Sequence, residues 1–203
     1  MSTSIELFKK HISIIKKSGY EIVSKIHKPK GQIEISFDDG FLGFYKNINI
    51  IKELDLPIQL FVITSKIDAP NYINKSQLLE LDSFSQITIS SHTHKHSILN
   101  KISEIEIEIE LETSKKILEE ILNKKITSLC FPEGKFSNKV IEIAKKIGYS
   151  NFYTSIPGFY FDQFSTGVIK RSLVQFASKG EFKSIMKGGD HMLSKWYQLK
   201  HYN

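Results

Sequence analysis

The chain has 203 residues, 40% of them hydrophobic and 25% charged, which suits a folded globular protein with one substantial core and excludes a disordered chain. Its formal net charge of +6 rests on dispersed lysine pairs such as Lys9-Lys10, Lys16-Lys17, Lys124-Lys125 and Lys145-Lys146, so no nucleic-acid partner is expected. A lone cysteine, Cys130, excludes an internal disulfide and any cysteine-based zinc site.

Near the start, Ile5, Phe8, Ile12 and Ile15 recur at spacings of three and four, which predicts an amphipathic helix ended by Gly19. Glu6, Lys9 and Lys10 interrupt its apolar run, so neither a signal-peptide core nor a membrane span is expected, and residues 1–20 read as a flanking helix of a cytoplasmic protein. Residues 33–40, IEISFDDG, alternate like a strand and end on two adjacent carboxylates, Asp38 and Asp39. Such neighbours repel, and a cation or a proton-transfer task sets them apart; a solvated Asp-Gly turn is the plain alternative. Phe44, Ile48 and Ile51 keep helical spacing to Leu54, Pro57 marks the exit, and residues 58–63 read as a buried parallel strand. Ser76 is the predicted cap of a helix carrying Leu78, Leu79 and Leu81.

A strand over 87–90 then leads into SHTHKH at 91–96. One helical turn there would bring His92 and His96 to the same side, and with Asp39 they would offer two nitrogens and one oxygen to a metal while leaving positions open for water. Residues 104–110, EIEIEIE, alternate like a strand, yet Ser103 with Glu106 forms a capping box. Beyond it Ile107, Leu111, Ser114, Leu118 and Ile121 follow helical spacing, so a helix is predicted. A strand over 127–131 closes on Pro132-Glu133-Gly134, and Ser137 caps a helix with Val140, Ala144 and Ile147 on one face and Gly148 as its stop. Strands are predicted over 151–155 and 168–174. Residues 175–203 read as helical, with Phe182, Ile185 and Met186 in one piece and Met192, Leu193, Trp196 and Leu199 in another. This alternation predicts an α/β protein, one domain over 1–203, with helices outside a parallel sheet. The acidic pair, the histidines and residues 132–134 each follow a strand, where open sheets and barrels carry their chemistry.

SFDDG at 36–40 and HTHKH at 92–96 resemble the first two motifs, TFDDG and H-(S/T)-x-x-H, of the polysaccharide deacetylase family, also called the NodB-homology or carbohydrate esterase 4 domain. Ser36 takes the usual Thr position, and the resemblance runs from about Gln32 to at least Tyr149. It implies a distorted, incomplete (β/α) TIM-like barrel of parallel strands. It also implies a hydrolase of nonpeptide carbon–nitrogen bonds that removes acetyl from an N-acetylated sugar or glycan precursor; the alternative is a catalytically weakened, glycan-binding relative. Asp39, His92 and His96 are then the ligands of one divalent ion, zinc, with iron, cobalt or nickel as alternatives, and Asp38 is the general base.

In the third motif, Cys130-Phe131-Pro132-Glu133 followed by Gly134 stands where the family has Arg-x-Pro-Tyr. Phe131, Pro132, Glu133 and Gly134 are expected at the substrate, with the Glu133 N–H as oxyanion donor. The displaced arginine is expected from a later strand, as in relatives with a Phe-Pro-x-Gly motif, and Arg171 is the chain's single arginine. The family's Leu-x-His motif has no convincing match, so His94, His191, His201 or metal-bound water remain as candidate proton donors.

Overall fold

The computed structural model describes residues 3–161 and 166–191; the stretch from Met192 through Trp196 and Leu199 to His201 lies outside the described residues. Helix α1 (Ile5–Lys17) starts at Ser4, whose hydroxyl accepts from the Leu7 N–H, and buries Ile12, Ile14 and Ile15. Two short parallel strands follow, β1 (Glu21–Ile22) and β2 (Gln32–Ile33). The strand expected in the first half of residues 33–40 breaks at Glu34, and β3 (Ile35–Phe37) opens a second sheet.

The single helix expected after the acidic pair is two, α2 (Leu42–Lys46) and α3 (Ile48–Glu53). Between them Asn47 turns its side-chain amide onto the Gly43 carbonyl at 2.7 Å, competing with the helical hydrogen bonds. Strand β4 (Ile58–Val62) and helix α4 (Lys75–Asp82) come next. The cap of α4 is Asn74, in a capping box with Gln77, where the sequence suggested Ser76; the Asn74 oxygen reaches the Gln77 N–H at 2.8 Å. Then follow β5 (Ile87–Ser91), α5 (Glu104–Leu122), β6 (Ser128–Cys130), α6 (Asn138–Ile147), β7 (Asn151–Tyr153), β8 (Val168–Ile169) and α7 (Lys179–Met186). The Ser103–Glu106 capping box and the left-handed Gly148 stop are as the sequence predicts, while β7 and β8 are shorter than predicted.

Six parallel strands run in the order β3-β4-β5-β6-β7-β8, so each crossover adds the next strand on the same side, and the sheet curls into an incomplete barrel. Among the described residues no helix is long and apolar enough to cross a membrane.

Alternation along the strands sorts side chains between two cores. Ile58, Leu60 and Val62 of β4, Ile87 and Ile89 of β5, Leu129, Phe152 and Val168 join the core shared with the helices. Residues of the opposite parity, Phe61, Cys130, Tyr153 and Ile169, form a small separate cluster inside the curl. Asp38, His92 and Arg171 have that same inner parity and lie at or just beyond the carboxyl ends of β3, β5 and β8.

Glu34 also has inner parity. Enclosure pushes its carboxyl up from 4.5 to about 7, against a Tyr153 hydrogen bond and the charges of Arg171 and Lys25, while Tyr160 lies near enough to feel the carboxylate. One of its oxygens is buried without a hydrogen-bond partner. A folded pKa above the unfolded value means that native Glu34 keeps its proton between 4.5 and about 7, so stability falls as pH rises through that window. Glu34→Gln should therefore be more stable than wild type by roughly 1–3 kcal/mol at pH 8 and equal to it near pH 4, as read by urea unfolding at the two pH values.

Candidate metal centre

Asp38 and Asp39 leave β3 in opposite roles because the backbone turns sharply between them. Asp39 and Gly40 are both left-handed, with φ of 75° and 76°, and a Cβ on Gly40 would press on Val62 at 3.2 Å. Asp tolerates this conformation better than most residues, and the turn sends the Asp39 carboxyl toward the loop after β5. Its Oδ1 lies 3.5 Å from His92 Nε2 and 3.7 Å from His96 Nε2. One ligand atom from each of the three residues falls within 4.8 Å of the others.

Zinc bonds of 2.0–2.2 Å at tetrahedral angles separate donors by about 3.3–3.6 Å; the Asp39–His92 edge of 3.5 Å falls in that range and the Asp39–His96 edge of 3.7 Å lies just above it. The donor chemistry fits as well. His92 is 3% exposed and its Nδ1 lies 2.9 Å from the Cys130 carbonyl, which can only accept. Nδ1 therefore carries the proton, and the Nε2 lone pair faces the cradle. Burial lowers the His92 pKa despite the nearby Asp38 charge, which keeps the ring neutral as a ligand must be.

The loop that carries these histidines is not the helical turn expected from their spacing. Thr93 and His96 are left-handed, with φ of 65° and 64°, a costly conformation for a β-branched residue such as Thr93. Fixed contacts on every side offset that cost. The Ser91 hydroxyl accepts from the Thr93 N–H at 3.1 Å, and the Thr93 hydroxyl accepts from the His96 N–H at 3.1 Å. The Thr93 carbonyl takes the Thr64 N–H at 3.2 Å. His94 turns to a different neighbour, with Nδ1 3.0 Å from the Thr64 hydroxyl.

Asp38 faces a guanidinium. Arg171 reaches its two oxygens with Nη1 and Nη2, each at 2.8 Å, and spends its other donors on the Ser36 hydroxyl at 2.7 Å and the Thr154 carbonyl at 3.2 Å. Burial would raise the Asp38 pKa, but the Arg171 charge and hydrogen bonds outweigh it and hold the carboxyl well below the usual range. Cys130 Sγ sits 2.8 Å from Arg171 Nη2, so the small thiol leaves space for the fork. Asp38, His92 and Cys130 form a second conceivable donor set. It suits a metal less well, because burial keeps the thiol protonated and Arg171 already occupies Asp38.

The family model for polysaccharide deacetylases matches residues 25–152. This chain belongs to the polysaccharide deacetylase family. Among curated relatives, YxkH of Bacillus subtilis, itself only provisionally described as a polysaccharide deacetylase, is 25% identical over 162 residues, 74% of this chain and 58% of that protein. The poly-β-1,6-N-acetyl-D-glucosamine N-deacetylase of Staphylococcus aureus is 28% identical over 134 residues, 59% of this chain and 46% of that protein. This chain thus spans about half the length of the curated relatives it matches. The Streptococcus pyogenes deacetylase PplD, solved with acetate, superposes with a TM-score of 0.79 at 22% identity, over 89% of this chain and 86% of that one. At that identity the likeness carries the fold, an α/β incomplete barrel.

The third deacetylase motif diverges from expectation in one respect. Phe131 is 1% exposed and packs between Phe136 and Phe152 at ring separations of 5.1 and 5.9 Å, and Pro132 is also buried. Both side chains are enclosed, and strand parity turns the Phe131 ring away from the mouth, so at positions 131 and 132 only backbone is left to make the expected substrate contacts. Glu133 is left-handed at φ 53° and pairs with Lys135 at 2.8 Å. Gly134 is irreplaceable there, since a Cβ would collide with the Ser155 and Thr154 hydroxyls at 2.5 and 2.8 Å. His191 follows α7 with its ring 5.5 Å from Phe159, and His201 is outside the described residues.

Sequence reasoning missed Glu110, which interrupts the buried stripe of α5 between Ile107 and Ser114. That charge on an apolar face was the available signal. Glu110 is 6% exposed, and one oxygen accepts from the consecutive N–H groups of His94 and Lys95 at 3.1 and 2.8 Å. Glu110→Ala would leave two amides without their acceptor and should cost about 2–3 kcal/mol in urea unfolding. It should also speed hydrogen exchange at His94 and Lys95 while the strands of the sheet keep their protection.

Proposed function

We propose that this chain is a metal-dependent hydrolase that removes the acetyl group from an N-acetylated sugar. The observation that carries this reading is that one mouth of the barrel holds both a carboxylate with two histidines at ligand spacing and an ionised Asp38 gripped by Arg171. The staphylococcal relative's name, an N-deacetylase of poly-β-1,6-N-acetylglucosamine, supports an acetamido sugar as the substrate class.

Asp39, His92 and His96 would hold the ion, zinc before iron, cobalt or nickel, given a carboxylate and two imidazoles. A divalent ion in such a cradle polarises an amide carbonyl and lowers the pKa of water toward about 7. Asp38, anionic throughout the physiological range, is then the acceptor for the proton of the attacking water. Its depressed pKa makes it a weak base, so it works only on water that is already acidified, and it can return the same proton to the departing amine. Arg171 fixes the carboxylate's orientation through two parallel bonds, a task that a lysine point charge cannot perform. The Glu133 N–H is the proposed oxyanion donor.

Acetate release from a panel of N-acetylated oligosaccharides and sugar nucleotides tests this reading. Asp38→Asn should lower kcat by about 10²–10⁴ while metal content, measured by elemental analysis, stays at the wild-type level. Arg171→Lys should lose at least about tenfold in kcat. Chelation should abolish turnover, and added Zn²⁺ should restore it. Bound metal with no acetate released from any sugar would instead support the glycan-binding alternative.

A further inference from the structure

Directly after the Asp39-Gly40 turn, Phe41 occupies the N-cap of α2 without any side-chain cap bond. Small polar residues are preferred there by about 1 kcal/mol, so a large aromatic ring works against local helix stability. The ring is also 38% exposed. It stacks on Tyr72, with centroids 4.9 Å apart and planes 28° from parallel.

Backbone contacts join the two residues to each other and to the turn that follows Asp39. Phe41 and Tyr72 form an antiparallel bridge, flanked by Leu42 N–H to the Asn71 carbonyl at 2.8 Å and Ile73 N–H to the Gly40 carbonyl at 3.0 Å. Asp68 and Asn71 are left-handed, with φ of 66° and 68°, so the loop that presents Tyr72 has a specified shape. Lys66 Nζ lies 5.8 Å from the Tyr72 ring centre. Its short helical turn is joined to the histidine loop through Ser65 N–H to the His94 carbonyl at 2.9 Å. The backbone of the pair is therefore tied directly to the acidic turn at Gly40, and the segment that leads to Tyr72 is tied through Ser65 to the histidine loop.

A pyranose ring presents an apolar C–H face that matches the electron-rich face of an aromatic ring, and its hydroxyls suit an ammonium group at the rim. Resting on the deacetylase reading above, we propose that Phe41 and Tyr72 form a stacking subsite for a sugar unit next to the one being deacetylated. The substrate is then an oligomeric glycan, and a free N-acetyl monosaccharide uses only part of the site.

Kinetics with N-acetylglucosamine and its β-linked tetramer test the subsite in Phe41→Ala. The expected result is a fall of about tenfold in the ratio of kcat/KM for tetramer over monomer, expressed through KM, with the Phe41→Trp variant recovering most of the ratio. An unchanged ratio, or an equal loss on both sugars, overturns the proposal. Calorimetric titration of the tetramer into metal-free Asp38→Asn protein gives a second readout that needs no turnover. Adding Phe41→Ala there should weaken Kd about tenfold. Should wild type release acetate from no sugar, the deacetylase reading falls on its own. The titration still decides the subsite: binding weakened by Phe41→Ala supports it, and absent or unaltered binding overturns it.

Discussion

Among the described residues, the bidentate pair between Arg171 and Asp38 spans the seam between β3 and β8 that no backbone ladder closes. Strands β3 and β8 are the two edges of the six-stranded sheet, and Arg171 joins them by reaching Asp38 and Ser36, 133 and 135 residues away in sequence. Buried ion pairs add little net stability, because desolvation offsets most of the attraction. What this one supplies is position. It fixes a carboxylate at the mouth, keeps it anionic, and spends the guanidinium's remaining donors so that none is stranded inside the curl.

That arrangement accounts for the unusual third motif. The family's motif arginine would enter at position 130, from β6; here Cys130 stands there, and its compact thiol touches a guanidinium that arrives from β8 instead. The two positions form one unit, since a longer side chain at 130 would occupy the space of the fork. Phe61 closes the other side, with its ring 5.0 Å from the guanidinium carbon.

Local strain then directs the donors that converge at the mouth. Asp39, Thr93 and His96 all hold left-handed backbone; the Asp39 and Thr93 carbonyls accept from Ile63 and Thr64 of the loop after β4, and the His96 N–H is held by the Thr93 hydroxyl. Glu110 reaches in from α5 to hold the histidine loop, while the backbone bridge between Phe41 and Tyr72 and the bond from Ile73 N–H to the Gly40 carbonyl hold the acidic loop. A site assembled from loops on a rigid sheet gains its accuracy from such outer contacts as much as from the residues that would meet a ligand.

Much of this was legible in the linear chain, for a physical reason. Helix caps at Ser103 and Ser137, the stop at Gly148, the strands around residues 58–62 and 87–91 and the donor types at Asp39, His92 and His96 all depend on near neighbours, which a sequence displays directly. Tertiary structure alone decided the rest. The histidine loop abandons helical geometry because Ser91, Thr64 and Glu110 hold it otherwise, Phe131 turns into the core because strand parity sends it there, and Glu110 serves a loop rather than the solvent. The sequence could nominate Arg171 as a partner for Asp38, but whether a guanidinium meets a carboxylate across an open seam depends on the register of every strand between them. A shift of one residue in any of those strands would turn its side chains to the opposite face.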